Sequence, residues 1–246
     1  MYSCRINLDG TKVATTQWSQ IIAAQDGSSA TAREALEKLC QTYWKTVYAY
    51  VRHQGSSPEE AADLTQAYFA ELVAKDFLAE VDPDKGRFRA FLLATLRHFL
   101  SHERDRSRAQ KRGGGAITFS IDAETGESSY ALRPPSKELS PEELFERRWA
   151  MTVLERAIDR LQSEAEESDD RGQLEHLKQY LTSSANQAPY REVAATLGMS
   201  EGAVATAVHR LRKRYGRCLR AEIAELVADP ADIDDELRHM LSVVRP

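Results

Sequence analysis

The chain has 246 residues, 42% of them hydrophobic and 29% charged, with a net charge of −5. That balance belongs to a folded, soluble protein of one large domain or two small ones, and excludes a disordered chain. The start, Met1 to Gly10, lacks the apolar core of a signal peptide, and the most apolar run, Phe91 to Leu96, is far too short to span a bilayer, so no membrane partner is expected.

The predicted elements are almost all helical. Leu36, Leu39, Cys40, Tyr43, Trp44, Val47, Tyr48 and Val51 recur at helical spacing until Gly55 ends the run. Ser57-Pro58-Glu59-Glu60 reads as a helix start, with serine as N-cap, proline in the first turn and a glutamate reaching back. The helix that follows carries Ala61, Leu64, Tyr68, Leu72 and Val73 on one face. Asp82-Pro83-Asp84-Lys85-Gly86 reads as a turn or loop. A further helix, marked by Phe88, Phe91, Leu92, Thr95, Leu96, Phe99 and Leu100, runs into a basic cluster, Arg104 to Arg112, and stops at Gly113-Gly114-Gly115. Residues 113–139 read as an acidic flexible linker, with a short extended piece at Ile117 to Ile121. Ser140-Pro141-Glu142-Glu143 repeats the helix-start pattern and opens a second helical domain, containing Phe145, Trp149, Val153, Leu154, Ile158 and Leu161, then Leu174, Leu177, Tyr180 and Leu181. Asp229-Pro230 opens a last helix with Ile233, Leu237, Met240, Leu241 and Val244. No strand alternation or internal repeat is found, so the fold class expected is all-α: two helical domains joined by a linker.

The most specific segment is 190–215. Val193, Ala194 and Leu197 form a short apolar face. Gly198 permits a tight turn, and Ser200 is a natural N-cap with Glu201 at the positive end of the helix dipole. In the next helix Val204, Val208 and Leu211 turn inward, while Gly202, Ala203, Thr206, His209, Arg210 and Lys213 face outward. This is a helix-turn-helix with small residues early and cations late, suited to place its N-terminal part near base edges and its basic part on phosphates. With the cluster His209 to Arg217, the chain holds two basic patches despite its acidic total, and these read either as two anion-binding surfaces or as solvated helix faces.

Met199-Ser200-Glu201-Gly202-Ala203-Val204 with Val208-His209-Arg210-Leu211-Arg212 resembles the promoter-reading helix-turn-helix in region four of sigma factors. Upstream, Pro58 to Phe69 resembles region two, where an acidic helix binds the polymerase clamp. Asp82 to Leu92 resembles the loop and helix that open the downstream promoter element. The resemblance, to the extracytoplasmic-function (ECF) type of the sigma-70 family, covers roughly residues 15 to 228. It implies region two over 15–112, the linker over 113–139, region four over 140–228, and an acidic helical extension over 229–246. It implies no enzyme activity, no catalytic residue, no cofactor and no metal. The partners it implies are RNA polymerase core, at its clamp and flap, and promoter DNA. An anti-sigma factor or a Ser/Thr kinase would be regulators, and the location cytoplasmic, which agrees with three widely spaced cysteines (Cys4, Cys40, Cys218) read as reduced thiols.

Residue by residue, the resemblance points Glu60, Asp63 and Gln66 at the clamp, where complementary charge speeds encounter and fixes register. Ala62 departs from the family, which commonly has a second central acid there. Thr65, one turn away, is a candidate for phosphorylation that restores the charge. Lys85, Arg87 and Arg89 would meet phosphates as the −10 duplex opens, with Phe88 and Phe91 packing the core. Arg97, His98, His102 and Arg104 lie along the same helix; His98 stands where the family often has asparagine. The −35 element would be read by Thr206, His209, Arg210 and backbone near Ser200, because Ala205 and Ala207 replace common cations. Arg212, Lys213 and Arg214 would take phosphates. The linker acids Asp122, Glu124 and Glu127 read either as a nucleic-acid mimic or as a tether. The extension reads either as a cover for the basic −35 helix or as a helix completing the core.

Other readings stand beside this one. His98 and His102 are four apart on a helix and adjoin Glu103, but their order is not that of a zinc protease and no third ligand is apparent. The triple glycine lacks the Lys-Ser/Thr of a phosphate loop. The serious rival is a stand-alone helix-turn-helix regulator, which needs no acidic clamp helix; a third class is an adaptor whose basic helices bind an acidic protein.

Overall fold

In the structure, a computed structural model, residues 30–74, 87–109, 126–127, 139–168, 170–181, 187–227 and 229–244 are described. Among them the regular structure is helical, apart from one isolated antiparallel bridge between Arg87 and Val227. The all-α expectation is met. The loop holding Lys85, the extended piece at 117–121 and the linker acids Asp122 and Glu124 lie outside the described residues.

Helix α1, Ala30–His53, buries Leu36, Cys40, Tyr43, Val47, Tyr48 and Val51, the face its spacing foretells, and Tyr50 besides. Gly55 then turns the chain at φ 97°, a region that favours a residue without Cβ. Helix α2, Pro58–Ala74, opens with a reciprocal cap: the Glu60 amide donates to Ser57 Oγ (3.2 Å) and the Ser57 amide to Glu60 Oε2 (3.0 Å). Its inner face is Ala61, Thr65, Tyr68, Phe69 and Leu72. Helix α3, Phe88–Ala109, buries Phe88, Leu92, Leu96, Phe99 and Leu100. The Tyr68 hydroxyl ties α2 to α3 through the Leu92 carbonyl (3.0 Å) and Thr95 Oγ1 (2.7 Å).

Helix α4, Pro141–Glu167, starts with a full capping box on Ser140 and Glu143, and the Ser140 amide and hydroxyl hold the Glu143 carboxyl below its usual range. At 27 residues it is about 40 Å long. It buries Phe145, Trp149, Ala150, Val153, Ala157 and Leu161, and packs against α1 on one side. On its other sides lie α7, Glu201–Ala224, and α8, Ile233–Val244. Short α5, Arg171–Leu177, continues as a 3-10 turn, Lys178–Leu181, and α6, Tyr190–Leu197, packs on α7. One hydrophobic cluster runs without a break from Leu36 to Met240, so α4 stands between the N-terminal helices and the C-terminal ones.

Polar contacts stitch the same seam. Glu222, on α7, accepts from Arg156 Nε (2.7 Å) and Arg160 Nη1 (2.8 Å) of α4, and Arg156 also donates to Thr42 Oγ1 of α1 (3.2 Å). Glu127 is anchored on α1: its carboxylate accepts from the Tyr48 hydroxyl (2.6 Å) and from Arg52 Nε and Nη2 (2.9 and 3.0 Å). Arg52, then Tyr48, hold that carboxyl below its usual range. Gly126 beside it lies so close to the Trp44 ring that a Cβ would sit 2.9 Å away.

Candidate functional site

Three helices carry the residues of interest. On α2, burying Ala61, Thr65, Tyr68 and Leu72 turns Glu60 and Asp63 outward; Gln66 is half-buried. Glu60 is partly committed, since its carboxylate closes the cap on Ser57. Both acids stand on a groove of about 460 Å³ whose floor is Val51, Leu64 and Leu100 and whose far rim is Glu103 and Arg104. An acidic rim over an apolar floor suits a partner surface that is basic with apolar contacts.

On α7 the Ser200 hydroxyl caps the helix, accepting from the Ala203 amide (3.2 Å), after Gly198 has turned the chain at φ 63°. Val204, Val208 and Leu211 are buried; Gly202, Thr206, His209, Arg210 and Lys213 are exposed along one side, and Ala203 is half-buried. The Thr206 hydroxyl donates to the Gly202 carbonyl (2.9 Å). Between α7 and α5 a groove of about 670 Å³ runs past Gly202, Thr206 and Arg210. Two of the cations are engaged within the protein: Arg212 Nε donates to the Tyr180 carbonyl (3.1 Å), and Arg214 pairs with Asp170 (3.4 Å) and Glu164 (3.8 Å).

The ECF sigma factor family model matches residues 15–221. The chain belongs to the ECF sigma factor family. No curated protein and no solved structure gave a match. Its role is therefore that of a sigma factor in promoter-directed transcription, and the partners that go with the family are RNA polymerase core and promoter DNA. No helix among the described residues is long and apolar enough to cross a membrane.

Along α3 of this sigma factor, Arg97, His98, His102 and Arg104 are exposed. Arg97 lies 3.8 Å from Glu142, and Arg104 donates to Gln54 Oε1. The two imidazoles meet at 3.0 Å between Nε2 atoms, yet no group of three or more metal-ligating residues gathers among the described residues. Phe88 is fully buried, as expected of a core residue, and Phe91 is half-buried against the core.

Arg87 and Arg89 are placed differently from the other cations. Arg89 is 11% exposed, with Nε on Glu236 Oε1 (2.6 Å) and Nη1 on Glu146 Oε1 (2.7 Å), and its guanidinium stands 5.4 Å from the Trp149 ring centre. Arg87 reaches the other oxygen of Glu236 (3.4 Å). Neither partner carried any sequence signal, because each is far along the chain. Arg217, the last cation of the cluster His209 to Arg217, is exposed one turn beyond Lys213 and extends the same basic side of α7.

Thr65 lies on the buried face of α2, and its hydroxyl has no hydrogen-bond partner among the described residues. A kinase reaches a side chain only from solvent, so phosphorylation here requires α2 to move first. The C-terminal helix pairs with α7 near the end of α7, through Asp234 and Arg220, and is not paired with Arg210, Arg212, Lys213 or Arg214 among the described residues. Its Met240 is fully buried, and its acids pair with Arg220, Arg238, Arg87 and Arg89.

Proposed function

We propose that the chain binds RNA polymerase core through the outer face of α2 and reads a −35 element with α7 and a −10 element with the start and outer face of α3. The observation that carries this reading is the α2 groove, where Asp63 and Glu60 rim an apolar floor opposite Glu103 and Arg104. A stand-alone DNA-binding regulator has no use for such a surface. On α7, Thr206, His209 and Arg210 are the residues for base edges, with Ser200 fixing the approach of the helix N-terminus; Lys213, with Arg212 and Arg214 once released, supplies phosphate contacts. The division into region two, 15–112, and region four, 140–228, is part of the same proposal.

The test is binding of the purified chain to core RNA polymerase, followed by initiation on a promoter library. Asp63→Ala is expected to weaken core binding by about tenfold, the scale of losing one rim charge from a complementary interface, while leaving the thermal midpoint unchanged because Asp63 is exposed. Direct, specific DNA affinity without any core binding would move the reading to the stand-alone regulator. An absence of DNA preference with or without polymerase would favour the adaptor.

A further inference from the structure

The segment that opens α3 is fastened to the end of the chain. The Phe88 amide donates to the Leu226 carbonyl (3.2 Å), and Arg87 bridges Val227 in antiparallel fashion. Beside that backbone contact, Glu236 of α8 presents both oxygens to the two arginines: Oε1 to Arg89 Nε at 2.6 Å and Oε2 to Arg87 Nη1 at 3.4 Å. Glu146 of α4 takes the next donor of Arg89, and its second oxygen meets His239 Nε2 of α8 at 2.8 Å. The Glu236 side chain is 2% exposed. Its span, Ile233–Val244, lies beyond residue 221, where the family match ends.

We propose that α8 is an intramolecular latch: Glu236, with Glu146, occupies Arg87 and Arg89 in place of DNA phosphates, and the −10-reading segment engages DNA only after α8 releases it. This rests on the assignment of Arg87 and Arg89 to the −10 contact. All three nitrogens of the Arg89 guanidinium face carboxylate oxygens, so a phosphate must displace a carboxylate rather than add to it. A carboxylate sealed from water is tolerable only opposite a cation, so withdrawing Arg89 alone would strand Glu236. The exchange is therefore coupled: the arginines leave for DNA as α8 moves away and Glu236 reaches water. An acidic side chain standing where phosphate would stand makes the closed form selective against stray nucleic acid, and contact with polymerase is the natural event to favour the open one.

Two readouts on the full chain test this. Hydrogen exchange at the Phe88 amide reports opening without any DNA. The rate of open-complex formation with core polymerase, on a promoter fragment recovered from the library, reports DNA engagement. Glu236→Gln keeps the side-chain shape and removes the charge; it is expected to speed both by about tenfold. Asp234→Asn, also on α8, removes only an exposed pair with Arg220 of α7 and is expected to change neither. Should Glu236→Gln lose helix content by circular dichroism, Glu146→Gln carries the same two readouts. Unchanged exchange at Phe88 overturns the latch, and so does faster exchange with an unchanged open-complex rate, which would leave Glu236 a purely structural residue. A wild-type chain that binds no polymerase and starts no transcript would fail the functional proposal itself, a result separate from either of these.

Discussion

Replacing Thr65 by valine should make the protein more stable. The Thr65 hydroxyl is fully buried on the inner face of α2 and has no hydrogen-bond partner among the described residues, so folding strips it of water and returns nothing there. Leaving such a group unsatisfied costs about 1–3 kcal/mol. Valine keeps the branched shape and has nearly the same helix propensity, so neither packing nor backbone preference offsets the gain. A gain of about 1 kcal/mol or more is expected, which in a domain of this size raises the midpoint by about 2–4 °C per kcal/mol. Thr65→Glu runs the other way, since it places an unpaired carboxylate in the same spot and should lose about 3 kcal/mol or more. Thermal and urea unfolding followed by circular dichroism measure both. A valine variant equal to or less stable than the parent would show that the hydroxyl has a partner after all, and that α2 is packed differently. The same experiment governs any attempt to mimic phosphorylation at Thr65: a loss of polymerase binding in the glutamate variant has meaning only beside its stability.

Glu222→Ala should lower stability by about 2 kcal/mol, less than the figure for a fully buried pair because Arg156 and Arg160 are each 41% exposed and can turn to water; urea unfolding checks it, and a loss below about 0.5 kcal/mol would mean that the α4–α7 seam does not depend on this carboxylate. Glu127 gives a pH dependence. Its folded carboxyl is held below the usual range by Arg52 and Tyr48, so the stability it contributes is present above its unfolded value near ~4.3 and is lost as pH falls through the lower folded value. Glu127→Gln should therefore flatten the acid limb of the stability profile, and an acid limb of unchanged slope would place the proton uptake elsewhere.

Local chemistry was legible in the sequence because it depends on residues a few positions apart. Both Ser-Pro-Glu-Glu starts form reciprocal caps, and Gly198 takes the positive φ that its turn requires. The apolar period of α1 and the inward set Val204, Val208 and Leu211 are buried as the spacing predicts. What the sequence hid is long-range. Arg89 meets Glu236 across 147 residues and Arg52 meets Glu127 across 75, and no periodicity reports which acid a given arginine will find. Outward and inward cations therefore looked alike: Arg89, read as a phosphate contact, is among the most enclosed, while Arg210 and Lys213 stand exposed. Thr65 failed for a related reason. A threonine one turn from Ala62, on the helix that carries Glu60 and Asp63, looks accessible by spacing, but Ala61, Tyr68, Phe69 and Leu72 bend its side of α2 into the core.

Helix α4 has a consequence for synthesis on the ribosome. Its partners lie on both sides of it in sequence: α1 is made before it, α7 and α8 after. The nascent N-terminal helices emerge with the α4-facing side of α1, including Tyr50 against the future place of Phe145, uncovered until α4 follows them out of the exit tunnel. That apolar stripe is exposed during elongation and is the natural point for a chaperone to hold the growing chain. Helix α8 is made after all of these, so Arg87 and Arg89 emerge long before Glu236, and until α8 follows only Glu146 of α4 can meet Arg89.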